Sequence, residues 1–159
     1  MKIAIGSDHG GYELKDALVK FLKEEGHEIN DLGTHSKGSC DYPLIGFEVA
    51  KEVGGAKAKR GVLICKTGVG MVIIANKVYG VRAAACYDTD IAKSSREHND
   101  CNVAVLAASY TDAKEAKEIL RAWLAAPHLG ERHARRVEQI KDIESNLRLS
   151  RAKHGHAQD

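Results

Sequence analysis

Short apolar runs alternate with longer segments of helical periodicity along this 159-residue chain. The short runs are rich in β-branched residues, which favour strands, whereas the longer segments repeat apolar residues every three or four positions. This alternation predicts an α/β domain with a mostly parallel five-stranded sheet, because parallel strands need crossover connections that are usually helical. The predicted strands are residues 3–5, 27–32, 61–64, 82–86 and 102–106, and the predicted helices are residues 14–24, 44–53, 72–78, 89–97 and 113–123.

A further helical stripe follows position 133. It is formed by Val137, Ile140, Ile143 and Leu147, which must pack either against the rest of the chain or against a second copy. A hydrophobic content of 43% is sufficient for one core in a chain of this length. We therefore expect a single domain over residues 1–149, followed by a polar, disordered tail over residues 150–159.

Composition excludes several classes of protein. The formal net charge is +2 and 29% of residues are charged, which is neither the basic surplus of a nucleic-acid-binding protein nor a disordered composition. The sequence contains no apolar run of membrane-spanning length and no signal-peptide pattern, so we expect a cytoplasmic protein with no membrane partner. The four cysteines form no C-x-x-C pair and have no zinc-finger spacing, so neither disulfides nor a metal site is predicted.

The segment after the first predicted strand is a candidate ligand site, since parallel sheets bind ligands beyond the carboxyl ends of their strands. Asp8 and His9 are followed there by Gly10 and Gly11, which allow the backbone to approach a ligand closely. The segment does not match the G-x-G-x-x-G fingerprint. An aspartate that caps a helix beside a surface histidine is the ordinary alternative.

The segment after the third predicted strand reads Cys65-Lys66-Thr67-Gly68-Val69-Gly70 and precedes a helix. Free backbone N–H groups at a helix start attract a phosphate or a developing oxyanion. The segment matches neither the P-loop nor the Rossmann fingerprint. A helix start also favours the thiolate form of a cysteine, which makes Cys65 a candidate base or nucleophile, although most isolated cysteines at strand ends are buried small hydrophobes.

Two later segments supply further polar candidates. His98 and Asn99 directly follow the helix predicted over residues 89–97, where His98 could be a general acid or base or could simply bond to the last carbonyl groups. Arg132 and Arg136 are four residues apart and would share one helix face, a geometry suited to binding phosphate. A solvated basic turn is the alternative for this pair.

In their joint order these segments resemble the family of ribose-5-phosphate isomerase B and the galactose-6-phosphate isomerase subunits, from Met1 to about Ile143. The resemblance implies a Rossmann-like three-layer sandwich with helices on both faces and a C-terminal helix. It also implies a homodimer or dimer of dimers with shared active sites and no metal or organic cofactor. The motifs that carry it are residues 6–11, 41–43, 67–71 with 75–77, 95–100, and 132–133 with 136–137.

The resemblance also implies a role for each candidate. Cys65 would be the base that moves a proton between C1 and C2, His98 would help to open the sugar ring, and Thr67 would assist proton movement at the substrate oxygens. Because a proton beside a carbonyl is weakly acidic, the base must act together with N–H groups that stabilise the enediolate. The implied sugar-binding or phosphate-binding residues are Asp8, His9, Lys66, Gly68, Val69, Gly70, Asn99, Arg132 and Arg136.

Two departures from the family pattern leave the substrate open. Lys66 stands where the family usually has glycine, and Ser109 stands where members that use ribose 5-phosphate often have a phosphate-binding arginine. We predict an aldose–ketose isomerase of a small phosphorylated sugar, with ribose 5-phosphate as the first candidate and a tetrulose phosphate or hexose 6-phosphate as alternatives. A non-catalytic sugar-phosphate-binding module and a thiol-redox protein are the alternatives from other classes.

Overall fold

The computed structural model describes the backbone of residues 1–155 and the side chains of residues 1–150. Strands and helices alternate as the hydrophobic pattern predicts, and a long C-terminal helix follows. In chain order the elements are β1 (Lys2–Ser7), α1 (Tyr12–Glu24), β2 (Glu28–Asp31), α2 (Tyr42–Gly54), β3 (Arg60–Cys65), α3 (Val69–Ala75), β4 (Ala83–Ala85), α4 (Thr89–Asn99), β5 (Val103–Ala107), α5 (Ala113–Ala125) and α6 (Glu131–Gly155).

The five strands form one sheet in the order β2-β1-β3-β5-β4, and every neighbouring pair is parallel. Helices α1, α4 and α5 pack on one face of the sheet, whereas α2 and α3 pack on the other. The predicted Rossmann-like three-layer sandwich is therefore confirmed. The connections from the adjacent strands β1 and β3 run in opposite directions, so a crevice opens between their carboxyl ends.

Burial explains why some strands were easier to predict than others. The central strands β1, β3 and β5 are buried over almost their whole length, because helices cover both of their faces. Each of them therefore reads as a continuous apolar run. The edge strands β2 and β4 are only partly buried and have weaker hydrophobic patterns.

The helix ends reflect local chemistry. Asp112 and Glu115 form a capping box at the start of α5, which satisfies backbone N–H groups that have no intrahelical partner. Helix α3 begins at Val69, three residues before the predicted start, because Gly68 adopts a left-handed conformation (φ 79°) and turns the chain directly into the helix. In the described part of the chain, no helix is both long and apolar enough to cross a membrane.

Helix α6 buries little of its predicted apolar stripe within one chain. Val137 is 2% exposed and packs inside, but Ile140, Ile143 and Leu147 are exposed, Ile143 by 61%. The helix continues to Gly155, so the tail predicted from residue 150 overlaps it, and residues 156–159 lie outside the described residues. Most of the stripe is thus available to a second molecule.

Candidate active site

Cys65 ends β3 beside the crevice between β1 and β3. Its side chain is only 6% exposed, and the Gly68 N–H donates to its Sγ at 3.1 Å. One backbone donor is therefore directed at the sulfur of this residue. The positive φ of Gly68 then turns the chain into α3 directly after this contact.

Asp8 lies in the neighbouring loop and is fixed by backbone hydrogen bonds. Its Oδ1 accepts from the N–H groups of Gly10 at 2.9 Å and Gly11 at 3.1 Å, and its own N–H donates to the Ile64 carbonyl at 3.3 Å. A Cβ on Gly11 would lie 2.9 Å from that same carbonyl oxygen, so glycine allows the loop to approach the end of β3. His9 is also held, since its Nδ1 accepts from the Cys40 N–H at 3.3 Å.

Lys66 extends over the loop that carries Asp8. A Cβ on Gly10 would lie 2.6 Å from Lys66 Cγ and 3.2 Å from its Cε, so the aliphatic stem covers the glycine. Lys66 is not among the described residues with positive φ, so a side chain at this position causes no backbone strain. The Lys66 carbonyl accepts from the Ser109 N–H at 3.0 Å, which places the two departures from the family pattern side by side.

The remaining loop residues lead into α3. Thr67 and Val69 are exposed, and the ring of Tyr42 packs so closely on Gly70 that a Cβ there would lie 2.5 Å from it. The N–H groups of the first helical turn have no intrahelical acceptor. We call Asp8, His9 and residues 65–70 the thiol half-site.

The other predicted residues lie together at the junction of α4 and α6. His98 and Asn99 are exposed at the end of α4, and Arg132 and Arg136 are exposed in the first turns of α6. The Leu129 N–H donates to the Glu97 carbonyl at 2.9 Å and so ties the segment before α6 to α4.

His133 completes this cluster and was given no role from the sequence. Its ring stacks on the ring of His98, with 4.3 Å between centroids and 8° between planes. Burial lowers the pKa of His133, and the positive charges of His98, Arg132 and Arg136 lower it further. The only sequence signal for this residue was its place beside Arg132. We call His98, Asn99, Arg132, His133 and Arg136 the histidine half-site.

A pair of arginines fixes the end of α4. Asp100 adopts a left-handed conformation and accepts from Arg96 Nη1 at 2.6 Å and from Arg82 Nη2 at 2.8 Å. Partial burial by itself would raise the pKa of Asp100, but the hydrogen bond and charge of Arg96 and the charge of Arg82 outweigh it and lower this pKa. The turn after Asn99 is therefore held by charged groups on both sides.

The two half-sites lie at opposite ends of the parallel strands. The thiol half-site follows the carboxyl ends of β1 and β3, whereas α4 leads into the amino end of β5. Cys65 pairs with Ala107, the last residue of β5. The strand extends about 13 Å from Ala107 back to its first residue, Val103. A single chain therefore does not bring Cys65 and His98 together.

Two of the other cysteines, Cys86 and Cys101, are buried thiols with raised pKa values. All four cysteines are free, and burial raises the pKa of Cys86 to about 12 and that of Cys101 to about 11. Both buried thiols therefore stay protonated at neutral pH and are poor nucleophiles. The described residues contain no group of three or more His, Cys, Asp or Glu side chains that could hold a metal ion.

Residues 3–140 match the family model described as Ribose/Galactose Isomerase. The chain belongs to this family. The ribose-5-phosphate isomerase B of Escherichia coli (strain K12) is 46% identical over 143 residues, which are 90% of this chain and 96% of that protein. The D-erythrulose-4-phosphate isomerase of Pectobacterium atrosepticum is 38% identical over 88% of this chain and 93% of that protein.

Solved structures of family members agree with the fold. The ribose-5-phosphate isomerase B of Clostridium thermocellum superposes with a TM-score of 0.90 at 48% identity, covering 92% of this chain and 99% of that one. The Mycoplasma genitalium enzyme with bound ribulose-5-phosphate gives a TM-score of 0.87 at 36% identity, with 91% and 96% covered. The resemblance predicted from the sequence motifs is confirmed.

Proposed function

We propose that this protein is an aldose–ketose isomerase that interconverts ribose 5-phosphate and ribulose 5-phosphate through an enediolate. The observation that carries the proposal is the Gly68 N–H directed at Cys65 Sγ, at 3.1 Å, in the crevice where an α/β sheet binds ligands. Membership of the Ribose/Galactose Isomerase family over residues 3–140 supports the same reaction.

In the proposed reaction, the Cys65 thiolate removes the proton from C2 of the open-chain aldose. The electron pair of that C–H bond forms the C1–C2 double bond, and the carbonyl electrons move onto O1. Return of the proton to C1, with loss of the O2 proton, gives the ketose, and Thr67 assists the transfer between the two oxygens. Because the Gly68 N–H is committed to sulfur, the other loop N–H groups are left to stabilise the enediolate.

The histidine half-site supplies the remaining roles. We assign ring opening to His98, sugar contact to Asn99, and phosphate binding to Arg132 and Arg136. Since α4 carries this cluster to the amino ends of the strands, away from Cys65 at the carboxyl end of β3, we infer a homodimer in which each protomer completes the thiol half-site of its partner. The exposed stripe of Ile140, Ile143 and Leu147 supplies apolar surface for such an interface.

Mixing two inactive variants tests the shared site. Cys65→Ala and His98→Ala chains are unfolded together, refolded as a mixture and assayed. Random pairing makes half of the dimers mixed, each with one intact site of two, so about a quarter of wild-type activity returns. Activity that stays at the level of the separate variants would contradict the shared site, provided that native mass spectrometry shows mixed dimers.

The reaction itself is tested by NMR in D₂O with four-, five- and six-carbon sugar phosphates. We expect ribose 5-phosphate to isomerise with deuterium entering at the carbon beside the carbonyl. Binding without turnover of any panel member would instead favour a sugar-phosphate-binding module. If ribose 5-phosphate does not react but another sugar phosphate is isomerised, the proposed reaction is supported and the proposed substrate is wrong.

A four-carbon sugar phosphate is the second candidate substrate. Lys66 extends over Gly10 at the crevice, and the Ser109 N–H bonds to the Lys66 carbonyl, so both departures from the family pattern lie beside the proposed substrate site. A relative named D-erythrulose-4-phosphate isomerase is 38% identical. Lys66→Gly should then raise activity on ribose 5-phosphate relative to the four-carbon sugar, whereas Lys66→Met, which keeps a stem over Gly10, should not.

We also propose that the reaction takes place in the cytoplasm. Phosphorylated sugars are charged and do not cross membranes unaided, so an isomerase acts in the compartment in which its substrate is made. Fractionation of the source cells should recover the protein and its activity in the cytoplasmic extract, and recovery only outside it would contradict this assignment.

A further inference from the structure

The exposed ring of His98 rests on a ring that is itself held in place. His133 is only 9% exposed, and its backbone N–H donates to the Gly130 carbonyl at 3.2 Å as α6 begins. The two imidazoles are almost parallel, with centroids 4.3 Å apart. Because the buried ring has little freedom, it restricts the orientation of the exposed ring stacked on it.

The other side of His133 contacts an arginine. Arg132 Nε donates to His133 Nε2 at 3.4 Å, a long hydrogen bond that requires this ring nitrogen to be unprotonated. His133 is therefore neutral, with its proton on Nδ1, when it orients Arg132. One side chain thus contacts both the proposed ring-opening histidine and a proposed phosphate-binding arginine.

The surroundings favour this neutral form. The charged and titratable groups that act on His133 are His98 from α4, His128 from the segment before α6, and Arg132 and Arg136 from α6 itself, all of which are cationic or can become so. A proton on His133 would add a positive charge to this group and would remove the acceptor used by Arg132.

We propose that His133 is a positioning residue that orients His98 by stacking and Arg132 by hydrogen bonding, and that it does so only as the neutral imidazole. The inference rests on the proposed function for the roles of His98 and Arg132. Protonation of His133 would disturb both neighbours together. Activity should therefore fall at low pH as this residue takes up a proton.

Two substitutions separate the two contacts. His133→Phe keeps a ring for stacking but removes the acceptor, so we expect KM to rise about tenfold with kcat within about twofold of wild type. His133→Gln keeps an acceptor but removes the stack, so kcat should fall about tenfold with little change in KM. Equal effects of both substitutions on both constants, in variants that remain folded and dimeric, would overturn the proposal.

The pH profile gives a readout that a purely structural role would not change. The loss of kcat/KM at low pH that His133 protonation causes should be absent from His133→Phe, so its relative activity should persist to lower pH than that of wild type. An acid limb that is identical in wild type and variant would overturn the proposal.

A measurement on the resting protein separates this inference from the proposed function. Ring ¹⁵N chemical shifts of the full-length protein should show His133 as the neutral Nδ1–H tautomer at neutral pH. A cationic ring or a proton on Nε2 would overturn the positioning role even if the enzyme isomerises ribose 5-phosphate. The expected tautomer in a protein with no turnover would instead count against the proposed function alone.

Discussion

Different kinds of contact hold the residues of the thiol half-site and the residues of the histidine half-site in place. In the thiol half-site, backbone N–H groups bond to Asp8 and Cys65, and glycines let two neighbouring loops approach each other. In the histidine half-site, side chains from α4 and α6 stack and bond to one another. The first arrangement depends on short segments of chain, whereas the second depends on how two helices pack.

This difference suggests different sensitivities. A backbone-built site should tolerate changes of surface side chains but not added bulk at its glycines. A side-chain-built site should lose one function with each side chain removed and should respond to pH through its histidines. The following substitutions test this contrast, from the largest expected effect to the smallest.

Replacing the thiol should have the largest effect. Cys65→Ala removes the proposed base, so kcat should fall by about 10³-fold while sugar-phosphate binding persists. Stopped-flow or NMR turnover, together with calorimetric binding, measures both quantities. Cys86→Ala is the matched control, because that thiol is buried with a raised pKa and should be dispensable for turnover. A Cys65→Ala variant with wild-type turnover would remove this residue from its proposed role.

Adding one methyl group to the backbone-built half-site should be the next most damaging change. A Cβ on Gly11 would lie 2.9 Å from the Ile64 carbonyl oxygen and 2.7 Å from its side chain, so Gly11→Ala must displace the loop. We expect about 2 kcal/mol of lost unfolding free energy in urea, together with reduced activity. Gly130→Ala, where a Cβ meets nothing within 4 Å, should leave stability nearly unchanged. Equal stabilities of the two variants would contradict the close approach.

Removing a cation from the histidine half-site should affect binding more than chemistry. Arg136→Ala loses one proposed charge-assisted contact to phosphate, so KM should rise about tenfold with kcat little changed. Arg135→Ala is the control, since it removes the same charge from another face of α6. If both arginine variants keep the wild-type KM, Arg136 does not bind the phosphate.

The smallest expected effect concerns the turn after α4. The lowered pKa of Asp100 means that its ionised form stabilises the folded state. This contribution is fully present above the pH at which the unfolded carboxyl titrates, about 4, and is lost as pH falls through the lower folded-state pKa. Asp100→Asn should therefore reduce the Tm at pH 7 by a few degrees, and the difference should shrink below about pH 4. A difference that is independent of pH would contradict the ionic contribution.

The thiol half-site could largely be predicted from the sequence, because its residues are neighbours in two short segments that follow buried strands. Asp8, Cys65 and the glycines after each are separated by fewer than six positions within their loops. The strands themselves were predictable for a similar reason, since full burial on both faces leaves a continuous apolar run. The early start of α3 was missed because it depends on the left-handed conformation of Gly68.

The position and partners of His133 could not be predicted. Its contact with His98 joins residues 35 positions apart and exists only because α6 packs on α4. Hydrophobic spacing likewise indicated that the stripe on α6 must be covered but not by what, and one chain covers Val137 alone among its four residues.

The sequence by itself therefore determined the alternating α/β layout, the loop chemistry at the strand ends and the family, because these depend on local spacing and residue type. Only the tertiary structure decided which loops meet at the crevice and that Cys65 and His98 lie at opposite ends of the parallel strands. It also decided that His133 contacts both His98 and Arg132. These outcomes depend on strand order and helix packing, which bring together residues that are far apart in the chain.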